Sequence, residues 1–537
     1  MDYSDINSDK DTKLCVSSMD GMYMACVAGI KQQWRVAIWL LDNMTICHRH
    51  FVRFQPKRLK WYCKDGRYRV LAADNIGNVQ IWDVDMGAQS NSECSYVSSS
   101  DSVMIKQTDW GENVPISNVE FGRSGDEVLV FSGYNVALAV WSVSERKCTQ
   151  IFAQKFVTER GFSMHPGTGH LTVLTRPVSE DVITIYGGRS SDLSVMCSFT
   201  LTDLTDAQGF KWSTDGRWIA VYDWILDFKV AIYTPLGVLY RMFIMADSES
   251  TLGVSTIEWS PAGDFLAVGS FDGLVRCLNT VTFTPTLVMK HSSSIFTKYN
   301  VVYVEQVVPL GADYTRYERM HKYPFPAPQL MCTSITDSPP QTGINLIKFN
   351  ANGTLLATLY DLTPTTIWIW SLKSSRLVSP ISILVHLRAI KAVEWHPTLP
   401  NLLAISCVAT KAHNPDAYQF GAQNWAENSR VVRIWNADWS APYSFSVPNW
   451  PSTLQITRTS WILPSSDLEP AEQGKSQILI ADQSSFLEAR LDQDHEPEDE
   501  ESKVQRLIDG VQQQEWVENS TASLDDTFEI PKYKVSV

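Results

Sequence analysis

Residues 255–281 restrict what this chain can fold into more than any other stretch. Two alternating runs, Thr256-Ile257-Glu258-Trp259 and Phe265-Leu266-Ala267-Val268, flank Ser260-Pro261-Ala262-Gly263. Proline presets φ and glycine admits positive φ, so these four residues spell a tight turn. A second turn, Ser270-Phe271-Asp272-Gly273, leads into a third apolar run, Leu274 to Leu278. Three antiparallel strands are therefore written in fewer than about 30 residues. A meander of this size cannot bury both its faces alone, so it requires neighbours of its own kind.

The chain supplies them. An opening unit turns at Met19-Asp20-Gly21, with Met24 to Ala28 and Val36 to Trp39 as strands. A second runs from Leu59-Lys60-Trp61 through Val70 to Ala73 and ends on Val79-Gln80-Ile81-Trp82-Asp83. Val119 to Phe121, Val128 to Phe131 and Ala137 to Trp141 make a third, and Gly161 to Pro166, Leu171 to Thr175 and Val182 to Tyr186 a weaker fourth. Gly209 to Val221 with Val230 to Tyr233 is the fifth, and 255–281 the sixth. Roughly 60 residues then pass before Ile344 to Phe349 resumes the spacing, longer than ordinary connections. Residues 283–342 thus read as an insertion, with one good strand at Asn300 to Val308. A seventh unit closes on Thr366 to Trp370, and an eighth, Ala392 to Asn436, holds a polar loop at 410–429. A ninth is faint, from Arg458 to Trp461 and on to Ala489. Residues 1–13 read as an extension and 492–537 as an acidic, disordered tail.

Meanders recurring about every 40 to 50 residues, with a literal Trp82-Asp83 ending in the second, are the signature of WD40 blades. The fold class is all-β: a WD40 β-propeller spanning 14–491, read as one closed ring of about seven to nine blades. Short connections between the second and sixth units, with no linker dividing the chain into halves, favour one ring over two. Trp and β-branched residues at alternate positions read as packing between blades.

With 44% hydrophobic residues the core is ample, and no run approaches the roughly 18 apolar residues of a membrane span. The polar opening, Met1 to Lys13, lacks the apolar core of a secretory signal, which sets a cytoplasmic or nuclear expectation. Ten cysteines, none in a C-x-x-C pair, fit a reducing compartment. A formal net charge of −14 speaks against general nucleic-acid affinity.

No catalytic constellation, cofactor motif or metal-ligand set stands out. Gly474-Lys475-Ser476 ends like a phosphate-binding loop, but Glu469 stands where the upstream glycine is required. His48 and His50 lack partners at zinc-ligand spacing and read as part of a surface basic cluster. His165-Pro166 and His396-Pro397 take the place of Ser260-Pro261 and read as turn residues.

Two features suit protein binding. Between His48 and Arg69 lie Arg49, Arg53, Lys57, Arg58, Lys60, Lys64, Arg67 and Arg69, opposed only by Asp65. This positive island in an acidic chain can dock an acidic partner, or merely discourage sheet-edge pairing. Tyr323 and Phe325, in Tyr323-Pro324-Phe325-Pro326-Ala327-Pro328, offer an aromatic and proline ligand to a groove, or a packed cover.

The chain also resembles the WD repeat-containing protein eight family. The resemblance rests on Leu14-Cys15 with Asp20 to Val27, on Asp215-Gly216-Arg217-Trp218 through Asp223, on Gly253 to Asn279, and on Trp395-His396-Pro397. It implies a non-enzymatic scaffold that works with a coiled-coil anchoring protein and, in fungi, a minus-end-directed kinesin of the fourteen class. A microtubule-nucleating complex is a further implied partner. The implied site of action is the centrosome or spindle pole body, where microtubule minus ends are tethered. The rival expectation is a ribosome-associated propeller like those among translation initiation factors.

Overall fold

The computed structural model describes residues 15–30, 33–41, 45–64, 66–84, 102–106, 115–189, 192–245, 252–295, 300–307, 315–321, 325–329, 342–373, 379–408, 431–446, 458–462, 476–481, 486–491 and 532–536. Among these residues the chain forms nine sheets of four or more strands and a two-stranded ribbon. In chain order the sheets cover 15–52, 58–105, 116–152, 162–200, 209–244, 254–290, 344–385, 390–446 and 458–491. In each, strands consecutive along the chain pair as neighbours, with an inserted strand pair added at the edge of sheet seven, so the alternating pattern at 255–281 is one leaf of a repeating architecture.

The chain divides into two compact units. One comprises Met1–Phe152, Arg189–Leu193 and Ser460–Val537 and holds sheets one, two, three and nine. Within it the last sheet lies beside the first, where the Ser17 and Ser460 hydroxyls are 3.2 Å apart. The other comprises Ala153–Gly188 and Ser194–Thr459 and holds sheets four to eight.

The turn after the first strand is built alike in several leaves. In Ser260 to Gly263 the glycine N–H donates to the Ser260 carbonyl at 3.0 Å, and Ser260 Oγ accepts the Phe265 amide at 3.0 Å. The same bonds recur at Ser213 to Gly216, Ser18 to Gly21 and, with an asparagine, Asn350 to Gly353. All four glycines have φ between 71° and 76°, a conformation that costs other residues heavily. His396 fills the first position of this turn in sheet eight, and His165 in sheet four. The Nδ1 of His396 accepts the Leu399 amide at 3.0 Å and that of His165 the Thr168 amide at 3.0 Å. Both histidines are turn residues, as their Pro neighbours suggest.

Neighbouring leaves are locked by two side chains at the end of the first strand. A tryptophan reaches back: Trp61 Nε1 donates to Val16 O at 2.7 Å, Trp259 Nε1 to Lys211 O at 3.2 Å and Trp395 Nε1 to Lys348 O at 2.9 Å. In three leaves a lysine before an aromatic residue reaches forward: Lys60, before Trp61, has its Nζ 2.6 Å from Glu120; Lys211, before Trp212, meets Glu258; and Lys348, before Phe349, donates to Val393 O at 2.8 Å. Sheets six and seven add a buried relay. Trp370 Nε1 donates to Thr358 Oγ1 at 2.8 Å, which lies 2.7 Å from His291 Nε2, while His291 Nδ1 is 2.9 Å from Gly273 O. A neutral imidazole satisfies every group in this chain, and burial holds the His291 pKa down at about 4.

Three sequence boundaries are corrected. The insertion begins later than residue 283, because Pro285–Lys290 pairs with Leu274–Asn279 as the fourth strand of sheet six. The strand expected at Asn300 to Val308 is Val302–Val307, which pairs in parallel with Pro380–Val385 and antiparallel with Thr315–Arg319, widening sheet seven to six strands. Within the stretch expected to be a disordered tail, Lys532–Ser536 is a strand parallel to Phe486–Leu491 and completes sheet nine. Its Lys-Tyr-Lys-Val-Ser pattern is strand-like, unlike the acidic residues before it. The extension at 1–13 and the polar loop at 410–429 lie outside the described residues.

Candidate protein-interaction surface

The fourth strand of sheet one, Thr45–Val52, sorts its residues by alternation. His48, His50 and Val52 are buried, whereas Phe51 is 45% exposed and Arg53, in the bend that follows, is exposed. His48 and His50 stack 5.9 Å apart, and His50 stacks on Trp82 at 5.2 Å. These imidazoles therefore belong to the packed seam and not to a surface cluster, as their arginine neighbours suggested. Burial, helped by His48, depresses the His50 pKa to about 4, so it packs uncharged. On the outward face, the Arg35 guanidinium sits 4.8 Å from the Phe51 ring centroid, with Arg49 half-buried beside them on the same strand. Arg35 was missed in the sequence because it lies on the preceding strand, opposite Phe51 in register.

The rest of the positive island is divided. Arg53, Lys57 and Arg58 stand at the start of the first strand of sheet two, and Lys64 and Arg67 at its far end, about 20 Å away at strand rise. Arg58 Nη1 donates to Asn75 Oδ1 at 2.7 Å and to Asp74 O at 3.3 Å. Lys60 is engaged with Glu120 in the seam, and Arg69 with Asp83 and, at 3.8 Å, Asp126. Half-buried Lys57 donates its backbone N–H to Ala73 O at 2.8 Å. Arg35, Arg49, Phe51 and Arg53 share one basic and aromatic face, with Phe51 and Arg53 exposed.

The second candidate, in the other unit, resolves toward a cover. Phe325 pairs with Ile295 in the two-stranded ribbon and packs, half-buried, on the core of sheets six and seven, with Ala327 4% exposed. Tyr323 lies outside the described residues. The inserted hairpin at 302–319 instead reveals a charge cluster that sequence reading missed. Glu305, 1% exposed, accepts from Arg433 Nε at 2.7 Å and from the Leu387 amide at 3.0 Å, and its ion pair with Arg433 brings Nη2 to 2.7 Å. Tyr317 Oη lies 2.8 Å from His386 Nδ1, which is 3.8 Å from Glu305 Oε2. Burial pushes the Glu305 carboxyl up, but the Arg433 charge outweighs it and holds the pKa well below the usual carboxylate range. Burial also lowers His386, so the cluster holds one anion and one cation. Tyr303 Oη donates to Ser440 O at 2.6 Å, tying the hairpin to sheet eight. An arginine inside the strand Val431–Asn436 and a glutamate inside Val302–Val307 were the available signals.

Among the described residues no group of three or more His, Cys, Asp or Glu is placed to hold a metal ion. A cavity of about 250 Å³ beside His291, lined also by Lys290, Ser292 and Tyr360, meets an imidazole whose two nitrogens are already engaged.

Repeated four-stranded leaves with Ser or Asn to Gly turns and Trp and Lys locks define a WD40-type β-propeller fold. No family model matches the chain. It is 24% identical to an uncharacterized WD repeat-containing protein of Schizosaccharomyces pombe over 84% of this chain and 87% of that protein. It is 25% identical to the mouse WD repeat-containing protein WRAP73, over 72% of this chain and 81% of that one. Its homologues are thus WD repeat-containing proteins, among them a member of the WD repeat protein eight family. Among solved structures, a eukaryotic initiation factor matches with 10% identity and a TM-score of 0.47, covering 82% of this chain and 89% of that one. The C-terminal WD40 domain of Sif2 matches with 11% identity and a TM-score of 0.42, covering 73% and 93%. Fold and WD repeat homologues together support a protein-interaction scaffold.

Proposed function

We propose that this chain is a scaffold without catalytic turnover that binds a coiled-coil protein and helps anchor microtubule minus ends at the spindle pole. The observation that carries the reading is homology to WD repeat-containing proteins over 84% and 72% of the chain, the second relative belonging to the WD repeat protein eight family. The leaves form a closed propeller in this proposal, and their outward faces do the binding. The docking face is Arg49, Phe51 and Arg53 with Arg35, an aromatic ring among guanidinium groups in a chain of net charge −14. Such a face suits an acidic helical partner, since arginine pairs with carboxylates while its stem and the ring cover apolar surface. A minus-end-directed kinesin and a microtubule-nucleating complex join through that partner. In the full chain, Arg49→Glu with Arg53→Glu should reduce copurification of the coiled-coil protein from dividing cells at least tenfold and disperse the focal pole signal. Unchanged copurification and localisation would remove this face from the account.

A further inference from the structure

In eight of the nine sheets the fourth strand begins within about 20 residues of the end of the third. Sheet nine departs from this. Its third strand, Phe486–Leu491, takes as its outer neighbour Lys532–Ser536, from about 40 residues further on, in parallel register from Phe486↔Lys532 to Arg490↔Ser536. Parallel pairing is somewhat weaker per residue than antiparallel pairing, and a separation of about 40 residues does not by itself tie the strand to this edge. Sheet seven shows the same habit, since Val302–Val307 adds in parallel to the outer edge of Pro380–Val385. There the parallel ladder spans three residue pairs and the buried Glu305 and Arg433 pair adds to it, while the parallel ladder in sheet nine spans five.

We propose that the outer edge of Phe486–Leu491 is a strand-acceptor site and that Lys532–Ser536 is its exchangeable resident. The incoming ligand is an extended partner segment laid parallel to the edge, alternating basic with aromatic or β-branched residues as Lys532-Tyr533-Lys534-Val535 does. Backbone bonds supply the affinity of such strand addition and side-chain alternation its selectivity. The C-terminal strand thereby acts as a removable guard on an edge that would otherwise pair indiscriminately.

The experiment compares the full-length wild type with full-length Tyr533→Pro, Val535→Pro, in which the resident strand loses two backbone donors. The probe is a labelled peptide of residues 532–537, with the doubly proline-substituted peptide as control. The variant should bind the wild-type peptide at least tenfold more tightly than the wild-type chain does, and the control peptide should bind neither. Equal binding by both chains, or no binding by the variant, overturns the proposal. Hydrogen exchange supplies an independent reading: backbone amides of 486–491 should lose protection in the variant and recover it when the peptide is added. Protection that is unchanged by the substitutions also overturns it.

Discussion

The leaf seams and the inserted hairpin place their charges differently, and the contrast separates charges that hold the fold from charges that can serve a partner. On sheets one to three, basic residues line half-exposed seams and an outward strand face: Lys60 side-chain exposure is 38% and that of its partner Glu120 25%. Around the inserted hairpin of the second unit, Glu305 and Arg433 are paired with side chains 0% and 2% exposed. A half-exposed pair keeps much of its hydration whether or not it forms, so it can be removed cheaply. A buried pair has surrendered that hydration, and each member depends on the other.

Breaking the buried pair should have the largest effect. Arg433→Met strands the Glu305 carboxylate, with an expected loss of about 3–5 kcal/mol in urea unfolding monitored by tryptophan fluorescence. Adding Glu305→Gln should recover much of that loss, and a double variant as unstable as the single one would contradict the pairing. The next effect is acid sensitivity. His50, His291 and His396 have folded pKa values of about 4, below the usual 6.5. The unfolded chain therefore takes up protons first, so the stability these groups provide is complete above pH 6.5 and is lost as pH falls toward 4. Each should contribute about 2 kcal/mol less at pH 5 than at neutral pH, read from denaturation midpoints. Replacing His50 with Phe should flatten its share of that slope, and an unaltered slope would show that His50 is not held neutral.

Smaller effects sharpen the contrast at the seams. Trp259→Phe keeps the ring contact and removes the N–H donated to Lys211 O, costing about 1 kcal/mol. Lys60→Met should cost no more than about 1 kcal/mol and should erase whatever salt dependence its pair contributes. A loss from Lys60→Met as large as that from Arg433→Met would collapse the distinction between the two regions.

The first three strands of most leaves were legible because their turns are chemically explicit, as in Ser260-Pro261-Ala262-Gly263, and their inner strands are apolar. The fourth strands were not. Asp192–Thr200 holds only exposed and half-buried residues, so it lacks the contrast that marks a strand with one buried face. The long-range parallel additions leave no local trace, since register between Val302–Val307 and Pro380–Val385 depends on partners some 80 residues apart. The proposed docking face was half legible. Arg49 and Arg53 were named, but the run of arginines around His48 and His50 hid the fact that alternation turns the histidines inward. Lys60 counted toward the island in sequence, yet its position before Trp61 marks it as a seam residue, a rule visible again in Lys211-Trp212.

The most direct test of the scaffold itself is affinity purification of the full chain from dividing cells, with bound proteins quantified by mass spectrometry. The account predicts strong enrichment of a coiled-coil protein together with spindle-pole components. Enrichment of small-subunit ribosomal proteins in their place, or of no protein above background, would contradict it.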